Sequence, residues 1–261
     1  MNLPGEIPLK LLSSEPTERF ETERLAQQYR LSISTSFPRK SDIFLRFIND
    51  VLTLVVQGLQ DKVATKISID FLSGHSGYRL QNDLRIGTPF AKAIGIKKGV
   101  RPTVCDTTAG FGQDGFHLAA LGCQVTMIER SHVIHLLLED GIRRGSRNPK
   151  FGKIFKQRIT LKHGDAIELI PKLSKFQTLY LDPMYPPRKG SALSKKNLYL
   201  LRHIVGNDLD STQLFHVAQR VDPARIVVKR PGKIAGIGSV PPSFEVAGKH
   251  IRYDVYLPPY L

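Results

Sequence analysis

Val104-Cys105-Asp106-Thr107-Thr108-Ala109-Gly110-Phe111-Gly112-Gln113-Asp114-Gly115 is the stretch on which the fold turns. Thr103-Val104-Cys105 has the character of an apolar strand end that runs into an acid and then a glycine loop. Behind it, Phe116-His117-Leu118-Ala119-Ala120-Leu121 carries helical apolar spacing and stops at Gly122. A second short apolar run, Gln124-Val125-Thr126-Met127-Ile128, ends on Glu129. Strand, glycine turn, helix, strand and acid make the layout of a nucleotide-binding α/β unit. Glycine has no Cβ and tolerates positive φ, so its backbone can approach a ligand closely. Glu129, about 20 residues past the first glycine, is placed to accept hydrogen bonds from ribose hydroxyls.

The spacing Gly110-x-Gly112-x-x-Gly115 also matches the dinucleotide fingerprint. A pyrophosphate wants helix N-terminal N–H groups and no carboxylates beside them. Asp106 just before the loop and Asp114 inside it would both repel a phosphate. Two acids suit a cationic nucleoside without phosphate. S-adenosyl-L-methionine, with its sulfonium and ammonium charges, is such a ligand. A nicotinamide or flavin dinucleotide, and a loop with no ligand, are the alternatives.

The chain has 261 residues, enough for one large domain or two small ones with a full core. Its 38 Lys and Arg against 23 Asp and Glu give a net charge of +15. A cationic cofactor gains nothing from that excess, so the charge points to a polyanionic substrate, most simply nucleic acid. Cys105 and Cys123 lie in or beside apolar strands and read as packing residues. The N-terminus lacks the basic-then-apolar layout of a signal peptide, and the longest apolar run is too short to span a bilayer. A cytoplasmic location with no membrane association is the expectation.

Residues 1–85 read as a small N-terminal α+β lobe, and residues 86–261 as the cofactor-binding domain. Pro16-Thr17-Glu18-Arg19 opens a helix with Phe20, Leu25 and Ala26 as its apolar stripe. Leu31–Ser34, Val51–Val56 and Lys66–Phe71 read as strands of an antiparallel set, with a turn over 57–62. Gly74-His75-Ser76-Gly77-Tyr78-Arg79 reads as a linker, with contact to substrate as the alternative. Thr88 to Gly95 looks like a capped helix. Ser131 starts another, in which His132 and His135 lack the Glu or Cys that a metal set would need. No metal is expected. Arg130 is placed either along the adenine plane or in solvent. Residues 143–158 form the densest basic stretch, interleaved with Phe151 and Phe155. Its alternatives are a phosphate-gripping surface with stacking rings, or a solvated helix end with two core rings.

Ile159-Thr160-Leu161-Lys162-His163 is a third strand and ends in Gly164-Asp165-Ala166. Residues just past a strand's carboxyl end line the crevice of a doubly wound sheet. Asp165 there can accept from the adenine amino group, or cap a helix, or both. Gln177-Thr178-Leu179-Tyr180-Leu181 is a fourth strand and ends in Asp182-Pro183-Met184-Tyr185-Pro186-Pro187. Prolines make that loop extended and rigid, with exposed carbonyls. An exocyclic amine of a nucleobase is a poor nucleophile, because its lone pair is delocalised into the ring. It must be held with its nitrogen facing the sulfonium. A carboxylate and a backbone carbonyl can accept its two N–H bonds, and an aromatic ring can fix the base plane. Asp182, the Pro183 carbonyl and Tyr185 supply those parts. Lys229 and Arg230, in Val227-Val228-Lys229-Arg230-Pro231, are placed to reach RNA or to sit at a strand-end surface. The cations of Arg188–Lys196 suit a flipped nucleotide's phosphates or an ordinary solvated loop.

Asp106 to Gly112, Glu129-Arg130 and Asp182 to Pro186 resemble the class I S-adenosylmethionine-dependent methyltransferases that modify exocyclic amines. The closer resemblance is to the bacterial small-subunit ribosomal RNA methyltransferase J family, which makes N2-methylguanosine. Ser191–Lys196, Val227–Pro231 and Tyr253-Asp254-Val255-Tyr256 fit that family as well, so the resemblance covers roughly residues 67–261. It implies a Rossmann-like α/β fold with a mostly parallel seven-stranded sheet. It implies cofactor contacts at Gln113-Asp114, Glu129-Arg130, Asp165-Ala166 and Asp182, beside those read above at Asp106, Gly110 and Gly112. Relatives can carry a basic residue at the position of Gln113, and serines at those of Asp165 and Ala166. The implied activity is methylation of guanine N2 in 16S ribosomal RNA, with ribosomal RNA or the small subunit as partner and a monomer as the default state. Adenine-N6 methylation of RNA or DNA, and a non-catalytic RNA-binding protein on the same fold, are the rivals.

Overall fold

The computed structural model describes residues 10–12, 19–34, 43–56, 64–74, 77, 80, 84–183, 210–232, 236–249 and 251–260. Two sheets carry the fold. The first holds β1 (Lys10–Leu12), β2 (Ser32–Ser34), β3 (Ile43–Ile48), β4 (Val51–Val56) and β5 (Thr65–Ile67), in the order β2-β1-β3-β4-β5. The second holds β6 (Thr103–Asp106), β7 (Gln124–Glu129), β8 (Ile159–His163), β9 (Thr178–Leu181), β10 (Arg225–Pro231), β11 (Phe244–Ala247) and β12 (Ile251–Tyr256). Its order is β11-β12-β10-β9-β6-β7-β8. The pairs β10-β9, β9-β6, β6-β7 and β7-β8 are parallel, while β12 runs antiparallel to both β10 and β11. This is the Rossmann-like, mostly parallel seven-stranded sheet expected of a class I methyltransferase.

The central strands read as unbroken apolar runs because helices cover both faces. All four residues of β9 are buried, and Ile226, Val227 and Val228 of β10 are fully so. Cys105 and Cys123 are buried too. The described helices are α1 (Arg19–Tyr29), α2 (Pro89–Ile94), α3 (Gln113–Ala120), α4 (His132–Ser146), α5 (Gly152–Arg158), α6 (Ala166–Leu169) and α7 (Ser211–Arg220). Thr88 caps α2 as expected: its hydroxyl accepts the Ala91 N–H at 3.2 Å. The chain after α3 turns at Gly122, which takes φ +106°.

The first sheet departs from the sequence reading in four ways. It is mixed, since β1 runs parallel to both β2 and β3. The helix α1 lies between β1 and β2, and a helical crossover delivers parallel strands. The strands β1 and β3 were not anticipated. The run Lys66–Phe71 is strand only through Ile67; beyond it the Asp70 carboxylate accepts the Leu72 N–H at 2.9 Å and turns the chain. Finally, Phe20 is 75% exposed, because the buried stripe of α1 is Thr22, Leu25 and Ala26. The expected turn over 57–62 lies outside the described residues, as do His75, Ser76, Tyr78 and Arg79 of the expected linker.

One cluster of buried side chains runs through both sheets, from Leu45 and Leu54 through Ile69 and Phe71 to Leu137 and Phe155. The Phe71 ring packs 4.9 Å from Phe116 and 5.7 Å from Phe155. Ion pairs close the same seam. Asp140 receives Arg143 and Arg144, each at 2.8 Å, and accepts the Leu52 N–H at 3.1 Å. Arg144 also donates to the Ile69 carbonyl. Part of the basic stretch 143–158 therefore joins the two sheets, and Phe155 is a core ring, not a stacking platform for RNA. Arg147, Lys150, Lys153 and Lys156 stay exposed.

Candidate active site

The chain crosses from one side of the sheet to the other between β6 and β9, and crevices open at such switch points beyond the carboxyl ends of the strands. A cleft of about 290 Å³ lies there. Asp106 reaches it from the end of β6, Glu129 from β7, Asp165 from the turn after β8, Asp182 from β9 and Lys229 from β10. Gln113, Asp114, Arg130, Ala166 and Pro183 line it as well.

The glycine turn after β6 shapes its floor. Gly110 takes φ +53°, and a Cβ there would find only the Thr108 carbonyl oxygen, 3.9 Å away. The turn is thus left-handed and open toward the cleft. Gly112, at φ +70°, starts α3. Gly115 is required for another reason: a Cβ would stand 2.6 Å from Met127 Sδ and 3.1 Å from Asp106 Oδ2. The turn is laced to its neighbours. Glu129 Oε2 accepts the Gly110 N–H at 2.8 Å, and Oε1 accepts the Ser131 N–H at 2.7 Å. Thr107 donates its backbone N–H and its hydroxyl to the Tyr180 carbonyl, both at 2.9 Å. Thr108 Oγ1 accepts the Asp182 N–H at 2.7 Å.

Carboxylates dominate the electrostatics. Asp106 is buried and accepts the Thr108 N–H at 3.3 Å. Burial first, and then the neighbouring Asp114, push its pKa up to about 8. Asp114 Oδ2 accepts the Tyr180 hydroxyl at 2.7 Å and the Lys229 ammonium at 2.8 Å. The same ammonium lies 2.8 Å from Asp182 Oδ2. Burial works against the Lys229 charge, but Asp114 and Asp182 outweigh it and raise its pKa. Asp165 caps α6, its Oδ1 accepting the Ile167 N–H at 2.8 Å. A pocket with this many acids repels a phosphate and fits the cationic end of S-adenosyl-L-methionine.

A family profile described as "Putative SAM-dependent methyltransferase" matches residues 24–258. A ribosomal RNA small subunit methyltransferase J from Desulfotalea psychrophila is 45% identical over 199 residues, 76% of each chain. One from Shewanella sediminis is 41% identical over 223 residues, 85% of each chain. The chain belongs to the ribosomal RNA small subunit methyltransferase J family. The crystal structure of a SAM-dependent methyltransferase from Neisseria gonorrhoeae superposes with a TM-score of 0.73, at 30% identity and 97% coverage of both chains.

In this methyltransferase J chain, the residues read from the sequence as cofactor contacts all line the cleft except Gly112, which sits just behind it as the first cap of α3. Arg130 is committed to an ion pair with Asp210 at 2.8 Å, and both side chains face the cleft. Tyr185, with Met184 and the prolines after it, lies outside the described residues, as does the basic segment 188–196. Lys229 is a correction: it neither sits at a strand-end surface nor points to outside RNA, but joins two acids inside the cleft. Arg230 is corrected likewise; it is 4% exposed and faces Asp254 at 3.9 Å. Sequence reasoning also missed Tyr180, Thr107, Thr108 and Asp210. His132 and His135 pack against His163 and Tyr29, and among the described residues no group of three or more His, Cys, Asp or Glu could hold a metal. No described helix is long and apolar enough to cross a membrane.

Proposed function

We propose that this protein transfers a methyl group from S-adenosyl-L-methionine to the N2 amine of a guanine in 16S ribosomal RNA. One observation carries this: the glycine turn after β6 and Asp182 after β9 open on the same cleft. The names of the relatives support the RNA of the small subunit as substrate, and a net charge of +15 supports a polyanion. The exposed Arg147, Lys150, Lys153 and Lys156 are candidates to grip it. A ribosomal substrate supports a cytoplasmic location, and we infer that the protein works there as a monomer with two lobes, 1–85 and 86–261.

The cofactor supplies a methyl group carried on a positively charged sulfur. Gly110 would leave it room, and Asp114 would hold the positive end, with the Asp106 carboxyl beside it. Glu129 accepts from the ribose hydroxyls and Asp165 from the adenine amino group, with Gln113, Arg130 and Ala166 closing the walls. On the substrate side, Asp182 and the Pro183 carbonyl accept the two N–H bonds of the target amine, which turns its nitrogen toward the donor. The aromatic ring expected to fix the base plane is that of Tyr185, outside the described residues. Asp182 is also the group beside the amine that can take its proton. Holding the two partners in line supplies most of the acceleration, because it replaces a chance encounter by a fixed approach.

The test is transfer of tritiated methyl to small subunits and naked RNA from cells lacking this protein, followed by nucleoside mapping. Label in N2-methylguanosine is expected. Label in adenine rejects the guanine assignment, and no label with either substrate rejects the activity.

A further inference from the structure

The fold inserts Lys229 between two acids that line the cleft. The parallel register pairs Val228 of β10 with Leu181 of β9, so the next residues, Lys229 and Asp182, emerge side by side. The ammonium then meets Asp182 Oδ2 and Asp114 Oδ2, each at 2.8 Å. Asp114 belongs to the first turn of α3, on the cofactor side, and Asp182 to the loop after β9, on the substrate side. The Tyr180 hydroxyl holds Asp114 from a third direction at 2.7 Å.

We propose that Lys229 is a positioning residue for methyl transfer, clamping Asp182 to Asp114 so that the acid facing the target amine keeps a fixed place relative to the cofactor. This rests on the reading of Asp182 as the acceptor of the amine. An ammonium has three donors that follow its flexible stem, so it can bridge two carboxylates that would otherwise repel each other. Lys229 with its two acids carries one net negative charge, which favours the positive charge that builds on the amine nitrogen as the methyl arrives. Without the ammonium the two acids repel, and Asp182 leaves its place. The cofactor subsite, by contrast, becomes more negative and still suits a cation.

The predicted signature is a split between turnover and binding. Single-turnover transfer to small-subunit RNA at saturating cofactor, and cofactor affinity by calorimetry, are measured for wild type, Lys229→Met, Lys229→Arg and Asp182→Asn. Lys229→Met is expected to slow transfer roughly 100-fold, the scale of a misplaced reacting group. Its cofactor affinity stays within about threefold of wild type, and Lys229→Arg recovers part of the rate. A Lys229→Met rate within twofold of wild type, or one restored by more cofactor, overturns the clamp. Transfer by Asp182→Asn at the wild-type rate overturns the role of Asp182 itself, and the clamp with it. A slow Asp182→Asn beside a normal Lys229→Met removes only the clamp.

Discussion

Glu129 Oε2 accepts the backbone N–H of Gly110 at 2.8 Å, across 19 positions of sequence. The acid at the end of β7 therefore does two things. It holds the glycine turn in its open, left-handed form, and it faces the cleft where a ribose would lie. Glu129→Ala leaves the Gly110 and Ser131 N–H groups without this acceptor, a loss of about 1–3 kcal/mol where such groups are buried. Cofactor affinity is expected to fall roughly tenfold or more, since each 1.4 kcal/mol is a factor of ten. Glu129→Gln, which keeps one acceptor oxygen, should lie between. Calorimetric titration checks this, and an unchanged affinity in Glu129→Ala would show that neither role matters.

The glycines of the turn should fail in different ways. At Gly115 a methyl group meets Met127 Sδ at 2.6 Å, so Gly115→Ala forces α3 away from β7. Overpacking of this kind costs about 1–3 kcal/mol. Gly110→Ala has room, and its cost is the left-handed backbone, about 1–2 kcal/mol. Its added methyl points into open space at the turn and is expected to weaken cofactor binding more than Gly115→Ala does, relative to the stability each loses. Urea unfolding and cofactor titration on both variants separate the effects.

Asp106 makes stability depend on pH in the direction opposite to most carboxylates. Its folded-state pKa is raised to about 8 from an ordinary 3.8. In the window between those values the folded chain holds a proton that the unfolded chain has released, so stability falls as pH rises through it. Asp106→Asn cannot release that proton. Its melting temperature relative to wild type should therefore improve as pH rises from about 5 to about 9. A constant difference across that range would place the Asp106 carboxyl in a more hydrated setting than the buried one described here.

The two lobes are expected to stand or fall together. Phe71 lies before residue 86, yet it packs on Phe116 and Phe155, and a Cβ added at Gly141 of α4 would stand 3.0 Å from Ile69 and 3.1 Å from Phe71. A fragment of residues 86–261 uncovers that face. It should express as an aggregate or as a species without cooperative unfolding by circular dichroism. A soluble fragment with a sharp thermal transition would contradict the shared core.

What the sequence disclosed follows from the range of the interactions involved. The strand ends at Asp106, Glu129, Asp165 and Asp182 are legible because short apolar runs stop at acids, and glycine marks the turn. These are local patterns. Lys229 was not legible, because a lysine after Val227-Val228 fits a solvated strand end equally well. Only the pairing of β10 with β9, 47 residues apart in sequence between Lys229 and Asp182, puts it in the cleft. Tyr180 was hidden for the same reason, since its partner Asp114 lies 66 positions away. In the first sheet, β1 is three residues long, too short for alternation to declare itself, whereas β2 lies inside the alternating run Leu31–Ser34. Phe20 misled because one large apolar residue near a helix start outweighed the modest Thr22, which is the residue that the helix buries.

The central claim is that cofactor and target amine meet across the line from the glycine turn to Asp182. A crystal structure with sinefungin, an amine-bearing analogue of S-adenosyl-L-methionine, tests it most directly. Adenosine is expected against Glu129 and Asp165, the amino-acid end by Asp106 and Asp114, and the amine that stands in for the transferred methyl facing Asp182. An analogue seated elsewhere, or lying in the cleft with that amine turned away from Asp182, would contradict the claim.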